Sequence, residues 1–151
     1  MADFSVARWD EPERLGELLA VVHGAFREFE PPSGVLKETL AHLTARFRDE
    51  TFLVARSGGA IIGSVFCARK DGALYLTRMA VLPGWRKRGV GAALMQAAVE
   101  EARRAGASRL TLRVRQNLPG NRAYFQKLGF AVTGEGADPG RPPYFAMERA
   151  L

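Results

Sequence analysis

The feature that most constrains the fold is a run of three predicted strands joined by two very short turns. The strands cover residues 51–56, 61–70 and 73–81, and residues 57–60 and 71–72 lie between them. Both turns contain glycine next to small polar residues, which is typical of hairpins. Connections this short join antiparallel neighbours. The middle of the chain is therefore predicted to form an antiparallel three-stranded sheet.

Further strand and helix signals lie on both sides of this sheet. In chain order they are a strand over residues 3–9, a helix that begins at a cap on Asp10, a helix over about 36–48, a helix over about 89–105, a strand over 108–115, a helix over about 119–128, and strands over 130–133 and 144–149. The order βααβββαβαββ predicts a mixed α/β (α+β) fold, with a mostly antiparallel sheet, one parallel crossover and about four helices. No linker divides the sequence, so we expect one domain over residues 1–151.

The positive charge of the chain is concentrated in one segment. Residues 78–127 hold 11 of the 22 lysines and arginines and only two acids, Glu100 and Glu101, whereas the whole chain has a net charge of +6. A single basic block favours a compact polyanionic ligand over a long nucleic acid bound along the surface. We therefore expect no nucleic-acid partner.

Composition excludes several other classes of protein. No apolar stretch approaches the roughly 20 residues of a membrane-spanning helix, and the N-terminus lacks a basic region followed by an apolar one. We therefore expect a cytoplasmic protein without a membrane partner. Cys67 is the only cysteine, which excludes an internal disulfide and a cysteine-based metal cluster. Its apolar neighbours predict a buried structural thiol.

Residues 81–94 connect a predicted strand to a predicted helix and carry the clearest functional pattern. Gly89 and Gly91 lie at the start of the helix, directly after the cations at residues 86–88. The first N–H groups of a helix have no partner inside it, and the helix dipole adds partial positive charge there. Glycine lets an anion approach these N–H groups closely, and the cations add attraction. The segment therefore predicts a phosphate-binding site.

Three known phosphate-binding patterns can be compared with this segment. A Walker loop requires Gly-x4-Gly-Lys-Ser/Thr, which the sequence lacks. A dinucleotide site requires Gly-x-Gly-x-x-Gly and an acid about 20 residues later, but Leu94 replaces the third glycine and residues 109–113 contain no acid. The third pattern, Arg-x-x-Gly-x-Gly after a strand, is satisfied by Arg86, Gly89 and Gly91.

With this motif, the sequence resembles the GNAT superfamily of acyl-CoA N-acyltransferases. The resemblance covers essentially the whole chain and is strongest between Tyr75 and Phe130. Residues 75–83 resemble the central strand of the family, residues 86–91 its pyrophosphate loop, and residues 121–130 its last helix and the following strand. The resemblance implies a sheet that is splayed in the middle, with the thioester of the donor lying in the opening.

The resemblance also implies which residues bind coenzyme A. Backbone groups of residues 79–81 would pair with the pantetheine arm as an added strand, and N–H groups from Lys87 to Ala92 would hold the pyrophosphate. Two asparagines near the last helix are candidates for further contacts with the pantetheine arm. The implied cofactor-binding residues are Met79, Ala80, Val81, Arg86, Lys87, Arg88, Gly89, Val90, Gly91, Ala92, Asn117 and Asn121. Acetyl-CoA is the implied donor, and no metal is expected.

For catalysis, the resemblance implies direct attack of a neutral amine on the thioester and a tyrosine that gives a proton to the departing thiolate. In many relatives this tyrosine lies four residues before the glycine of a Gly-Phe pair, and Phe125 occupies that position here. Tyr124, the preceding residue, is the candidate for the role. One position is a rotation of about 100° on a helix, so a Tyr124 that packs against the sheet is the alternative.

The acceptor implied by the resemblance is a primary amine on a small molecule or a peptide. The first 50 residues carry ten acids against six bases, which favours a cationic acceptor. Two of these acids, Glu28 and Glu30, lie in a region that often lines the acceptor side in the family, although solvated surface is the simpler interpretation. A homodimer is compatible with the family. The alternative function is a non-catalytic module of the same fold that binds or senses acyl-CoA.

Overall fold

The structure, a computed structural model, describes residues 3–28 and 33–151. Within these residues, seven strands form one sheet and four α-helices pack against it. The strands are β1 (Ser5–Arg8), β2 (Thr51–Ser57), β3 (Ala60–Lys70), β4 (Ala73–Val81), β5 (Arg109–Arg115), β6 (Ala131–Gly136) and β7 (Tyr144–Ala150). The helices are α1 (Leu15–Phe26), α2 (Leu40–Asp49), α3 (Val90–Arg104) and α4 (Pro119–Lys127). This order agrees with the predicted βααβββαβαββ.

The sheet is mixed, with one parallel pair among the described strands. The strand order is β1-β2-β3-β4-β5-β7-β6, and β4 runs parallel to β5 while the other neighbours are antiparallel. Tight turns join β2 to β3 and β3 to β4. Gly59 (φ 87°) and Gly72 (φ 77°) have left-handed backbones in these turns, a conformation that glycine adopts without steric cost. The predicted fold class is confirmed.

The two N-terminal helices begin later than the sequence pattern predicts. Pro12–Arg14 forms a 3₁₀ turn ahead of α1, and neither this turn nor α1 has a side-chain cap, so the cap predicted on Asp10 is wrong. Gly34–Lys37 forms another 3₁₀ turn. α2 begins after Thr39, whose extended backbone (ψ 164°) interrupts the helix and whose side chain caps its first turn. The single helix predicted over 36–48 is therefore two separate elements.

Two hydrophobic cores lie on opposite faces of the sheet. The core under α3 contains Leu94 and Ala98 of that helix together with Leu110, Leu112 and Val114 of β5. The second core contains residues of α1, α2, β2 and β3. Because successive side chains of a strand point to opposite faces, the β5 residues that alternate with Leu110, Leu112 and Val114 point to the face covered by α1 and α2.

Cys67 of β3 belongs to the core under α3. It is buried, as predicted, and burial raises the pKa of its thiol to about 12, because a thiolate is poorly solvated in an apolar environment. None of the helices in the described part of the chain is long and apolar enough to cross a bilayer.

Candidate active site

The sheet opens between its two central strands, β4 and β5. These strands pair only at their beginning, with residues 73–75 opposite residues 109–111. β4 nevertheless continues to Val81 and β5 continues to Arg115. The second halves of the two strands are therefore separated by a gap, which agrees with the splayed sheet that the family resemblance implies.

A β-bulge in β4 lies at the start of this gap. Ser64 of β3 lies opposite Ala80, whereas Phe66 lies opposite Thr77, so β4 has one extra residue between these pairs. Arg78 has a left-handed backbone (φ 54°), and its carbonyl accepts a hydrogen bond from Ser64 Oγ at 3.1 Å. Because a bulge bends and twists its strand, we attribute the divergence of β4 from β5 to this bulge.

The segment between β4 and α3 forms a loop at the open end of the gap. Pro83–Trp85 forms a 3₁₀ turn, and Lys87 (φ 62°) and Gly89 (φ 85°) have left-handed backbones. α3 begins at Val90, and the carbonyl of Gly89 accepts a helical hydrogen bond from Ala93 N at 3.0 Å. The N–H groups at the start of α3 have no acceptor within the helix. They are therefore available to an anion.

A first cavity, of about 560 Å³, joins this loop to the gap. Its volume lies in the range of about 300–1,000 Å³ that is typical of ligand sites. The predicted cofactor-binding residues that line it are Met79, Ala80, Val81, Arg86, Lys87, Gly89, Val90, Gly91, Ala92 and Asn121. The loop offers N–H groups and cations to phosphates, and the end of β4 offers a strand edge that is not paired with β5. This donor set fits coenzyme A.

Two of the predicted cations make different contacts. Arg86 donates through Nε to the carbonyl of Val81 at 3.2 Å and pairs through Nη1 with Glu28 at 2.5 Å. Arg86 therefore ties the loop to the end of β4 and to the segment after α1. Arg88 lies over the ring of Trp85, with its Cζ 4.2 Å from the ring centroid, and is exposed.

Tyr124 of α4 lines the first cavity. Its hydroxyl lies so close to Gly91 that a Cβ atom at Gly91 would collide with it. Tyr124 is 40% exposed, whereas Phe125 is buried and packs edge-to-face on Phe130 at 5.8 Å. Partial burial raises the pKa of the Tyr124 phenol above its ordinary value, because burial disfavours the phenolate. The hydroxyl is therefore protonated at neutral pH and can act as a hydrogen-bond donor.

A second cavity, of about 260 Å³, lies between the separated halves of β4 and β5. It shares Phe26, Met79, Asn121 and Phe125 with the first cavity, so the two cavities are adjacent. Its polar lining consists of Ser33, Tyr75, Thr77, Arg78, Arg113, Arg115 and Asn121. The two cavities together can hold a donor and an acceptor side by side.

Most of the predicted site residues lie together, and two lie elsewhere. Arg88 and Asn117 do not line either cavity, whereas Asn121 lines both. Of the two acids considered for the acceptor side, Glu28 lines the first cavity. Glu30 lies outside the residues that the structure describes.

Several lining residues were not identified from the sequence. Phe26 at the end of α1 and Trp85 in the loop line the first cavity, and Arg78, Arg113 and Arg115 line the second. The sequence pattern of β5 could have identified Arg113 and Arg115. The alternation of β5 places them on the face opposite its leucines and valine, where a strand covered by helices normally carries apolar residues.

Solved structures share the overall fold of this chain. The crystal structure of PaiA N-acetyltransferase from Thermoplasma acidophilum, in complex with coenzyme A, superposes with a TM-score of 0.85 at 18% identity over 100% of both chains. The structure of Ard1 from Thermoplasma volcanium superposes with a TM-score of 0.84 at 19% identity over 99% of both chains. The fold is therefore the acyltransferase fold that the sequence resemblance implied.

Sequence comparison identifies the family to which the chain belongs. The profile of the Acetyltransferase (GNAT) family matches residues 16–130. An uncharacterized N-acetyltransferase of Mycobacterium bovis is 31% identical over an alignment of 131 positions, and the match covers 78% of this chain and 83% of that protein. The chain belongs to the acetyltransferase (GNAT) family, and the predicted enzyme class, an acetyl-CoA-dependent acyltransferase, is confirmed. Enzymes of this family act on amine acceptors.

Proposed function

We propose that this enzyme transfers the acetyl group of acetyl-CoA to a primary amine by direct attack of the amine on the thioester. The observation that carries the proposal is the first cavity, which extends from the α3 loop to the β4–β5 gap. A donor held by the loop and the edge of β4 has its thioester directed toward the gap. The adjacent second cavity is then left for the acceptor.

The chemistry of the loop supports the donor side of the proposal. The N–H groups of residues 90–92 and the cations Arg86 and Lys87 suit the pyrophosphate. The edge of β4 at residues 79–81 suits the amides of the pantetheine arm, which can pair with it as an added strand does. The Thermoplasma acidophilum relative binds coenzyme A in its crystal structure. Roles for Arg88 and Asn117 stay predictions.

The proposed reaction needs a proton at the leaving group. The amine nitrogen attacks the carbonyl carbon, a C–N bond forms, and the C–S bond breaks with its electron pair going to sulfur. Tyr124 Oη is our candidate for the group that gives the thiolate its proton. Because this hydroxyl lies beside Gly91 in the pyrophosphate loop, the role requires the side chain to turn toward the gap when the donor binds. The amine nitrogen loses its own proton to solvent, and the phenolate regains one from solvent. A tyrosine hydroxyl carries its proton at neutral pH, and the burial that raises the pKa of Tyr124 keeps it in that form.

The substitution Tyr124→Phe tests this assignment. We expect kcat to fall by about 100-fold, at the lower end of what a positioned general acid contributes, while acetyl-CoA still stabilises the protein against heat. The measurement is release of the coenzyme A thiol with a panel of primary amines. Tyr144→Phe is the matched control, because Tyr144 lines neither cavity and should leave kcat unchanged.

The possible outcomes separate the parts of the proposal. Thermal stabilisation by acetyl-CoA without thiol release for any amine supports the alternative, a non-catalytic acyl-CoA-binding module. Equal kcat values for wild type and Tyr124→Phe remove Tyr124 from the mechanism and leave the transfer reaction in place. An absence of stabilisation by acetyl-CoA and by coenzyme A contradicts the donor.

The acidic N-terminal third of the sequence favours a cationic acceptor, on a small molecule or a peptide. This proposal depends on the ten acids among the first 50 residues. Several of them pair with arginines, as Glu11 does with Arg14 at 2.6 Å and Glu38 with Arg46 at 3.3 Å. These ion pairs reduce the negative charge that the acids can offer to a ligand. The cationic acceptor therefore stays a prediction that draws little support from the contacts.

Three further proposals concern the whole chain. One sheet contains strands from Ser5 to Ala150, which supports the prediction that residues 1–151 form one catalytic domain. A cytoplasmic location and a homodimer stay predictions.

A further inference from the structure

The second cavity has a lining that transfer to an unspecified amine does not explain. Three arginines, Arg78, Arg113 and Arg115, line it, and no aspartate or glutamate is among its described lining residues. A cavity that bound a cationic amine through charge would present carboxylates instead. The lining therefore indicates a ligand with negative charge.

Strand geometry explains why these arginines lie on one side of the gap. Arg113 and Arg115 alternate with Leu112 and Val114, which belong to the core under α3, so both arginines point to the opposite face. They are two residues apart, about 6.6 Å along the strand, a spacing that lets two arginine side chains bind one small anion. Arg78 reaches the same cavity from the bulge in β4.

Two of these arginines have acidic partners that lie outside the cavity. Arg78 donates through Nε and Nη2 to Glu38, at 3.4 and 3.2 Å, and Glu38 is also bound by Arg46. Asp138 lies 3.7 Å from Arg113, and both side chains are about half exposed, so this pair is weak. Neither carboxylate lines the cavity. An anionic ligand would therefore meet guanidinium groups and no facing carboxylate among the lining residues.

We infer that the acceptor is a small amine that carries a carboxylate or a phosphate, and that Arg113 and Arg115 bind this anionic group, with Arg78 as a further donor. Guanidinium groups bind both anions with paired hydrogen bonds. The volume of about 260 Å³ suits a small acceptor. Because the two cavities share Met79 and Phe125, the amine end of such a ligand can reach the thioester. The inference rests on the proposed acetyl transfer and opposes the cationic acceptor that the sequence favours.

The test compares amines that differ only in their anionic group. The full chain is saturated with acetyl-CoA, and thiol release is measured for amino acids against their amides, for phosphoethanolamine against ethanolamine, and for spermidine. The pH is high enough to keep each amine largely unprotonated. We expect kcat/KM for the preferred anionic amine to exceed that of its uncharged partner by at least about tenfold. The amino-acid and phosphoethanolamine arms decide between carboxylate and phosphate.

Variants then assign the preference to the arginines. Arg113→Gln and Arg115→Gln should each reduce the preference, because they raise the KM of the anionic amine much more than the KM of its uncharged partner. Arg109→Gln is the matched control, because Arg109 lies on the same strand and face but does not line the cavity. We expect this variant to keep the preference.

The outcomes distinguish failure of the inference from failure of the proposed function. Equal rates within each pair, or spermidine as the best acceptor, overturn the inference and leave acetyl transfer intact. If no amine supports thiol release, the proposed transfer fails, and calorimetry on the coenzyme A complex decides the inference instead. Binding of N-acetyl amino acids but not of their amides, lost in Arg113→Gln, supports the anion site. Equal binding of acids and amides overturns it.

Discussion

The two cavities of this enzyme are built in different ways. The first cavity offers backbone groups, at the start of α3 and along the end of β4, with cations at its edge. The second cavity offers arginine side chains that project from β5 and from the bulge in β4. A site made of backbone depends on chain conformation, whereas a site made of side chains depends on residue identity. Donor binding should therefore be sensitive to glycine replacement, and acceptor binding to charge replacement.

The largest effect is expected for Gly91→Val. A side chain at Gly91 would collide with the Tyr124 hydroxyl, and we expect a valine there to block the approach of phosphate to the N–H groups at the start of α3. Loss of two charge-assisted hydrogen bonds to phosphate weakens acetyl-CoA binding by at least about 100-fold. Because Tyr124 must also move, kcat should fall. Calorimetric titration with acetyl-CoA measures the first effect, and thiol release measures the second.

Gly84→Ala provides the control for this prediction. Gly84 belongs to the same loop, and a Cβ atom there meets no other atom within 4 Å. We expect its acetyl-CoA affinity to equal that of wild type. If Gly91→Val binds acetyl-CoA as tightly as Gly84→Ala, the first cavity does not depend on its backbone, and the contrast between the two cavities is lost.

An intermediate effect is expected for Arg86→Gln. The Arg86 guanidinium contacts Val81 and Glu28 and also the carbonyl of Ala25 at 3.4 Å. The substitution therefore removes a positive charge and three contacts that hold the loop in place. Because the side chain is partly exposed, we expect acetyl-CoA affinity to fall by only about three- to tenfold. The KM of the acceptor should not change when acetyl-CoA is saturating. An equal rise of both KM values would show that the two cavities do not act separately.

The fold was largely predictable because short turns and strand patterns are local properties. The strand over 73–81 was predicted at its observed bounds, since Gly72 fixes the turn before it and Pro83 follows it closely. Two features depended on backbone conformation and were missed. Apolar spacing continues across Thr39 although the backbone there is extended, and the bulge places a left-handed conformation on Arg78, which is not a glycine.

The candidate site was predictable only where one segment builds it. The loop from Arg86 to Gly91 is a local motif, and sequence alone associated it with phosphates. The direction in which the Tyr124 side chain points depends on how α4 packs against α3. The helical pattern of the sequence does not specify this packing. The second cavity requires the bulged end of β4 beside the end of β5, so its arginines come together only in the folded sheet.

The smallest effect is expected for Arg88→Gln, although Arg88 belongs to the same run of cations as Arg86. Its guanidinium lies over Trp85 and its Nη1 donates to the carbonyl of Gly84 at a long 3.5 Å. The group is exposed and outside the cavity lining, so its charge is screened by solvent. We therefore expect acetyl-CoA affinity to change by less than about twofold to threefold, as for other exposed charges, in the same titration that is used for Arg86→Gln. A tenfold loss would mean that the guanidinium leaves Trp85 when the donor binds. The first cavity would then depend on side chains as the second does, and the distinction between the two sites would be one of degree.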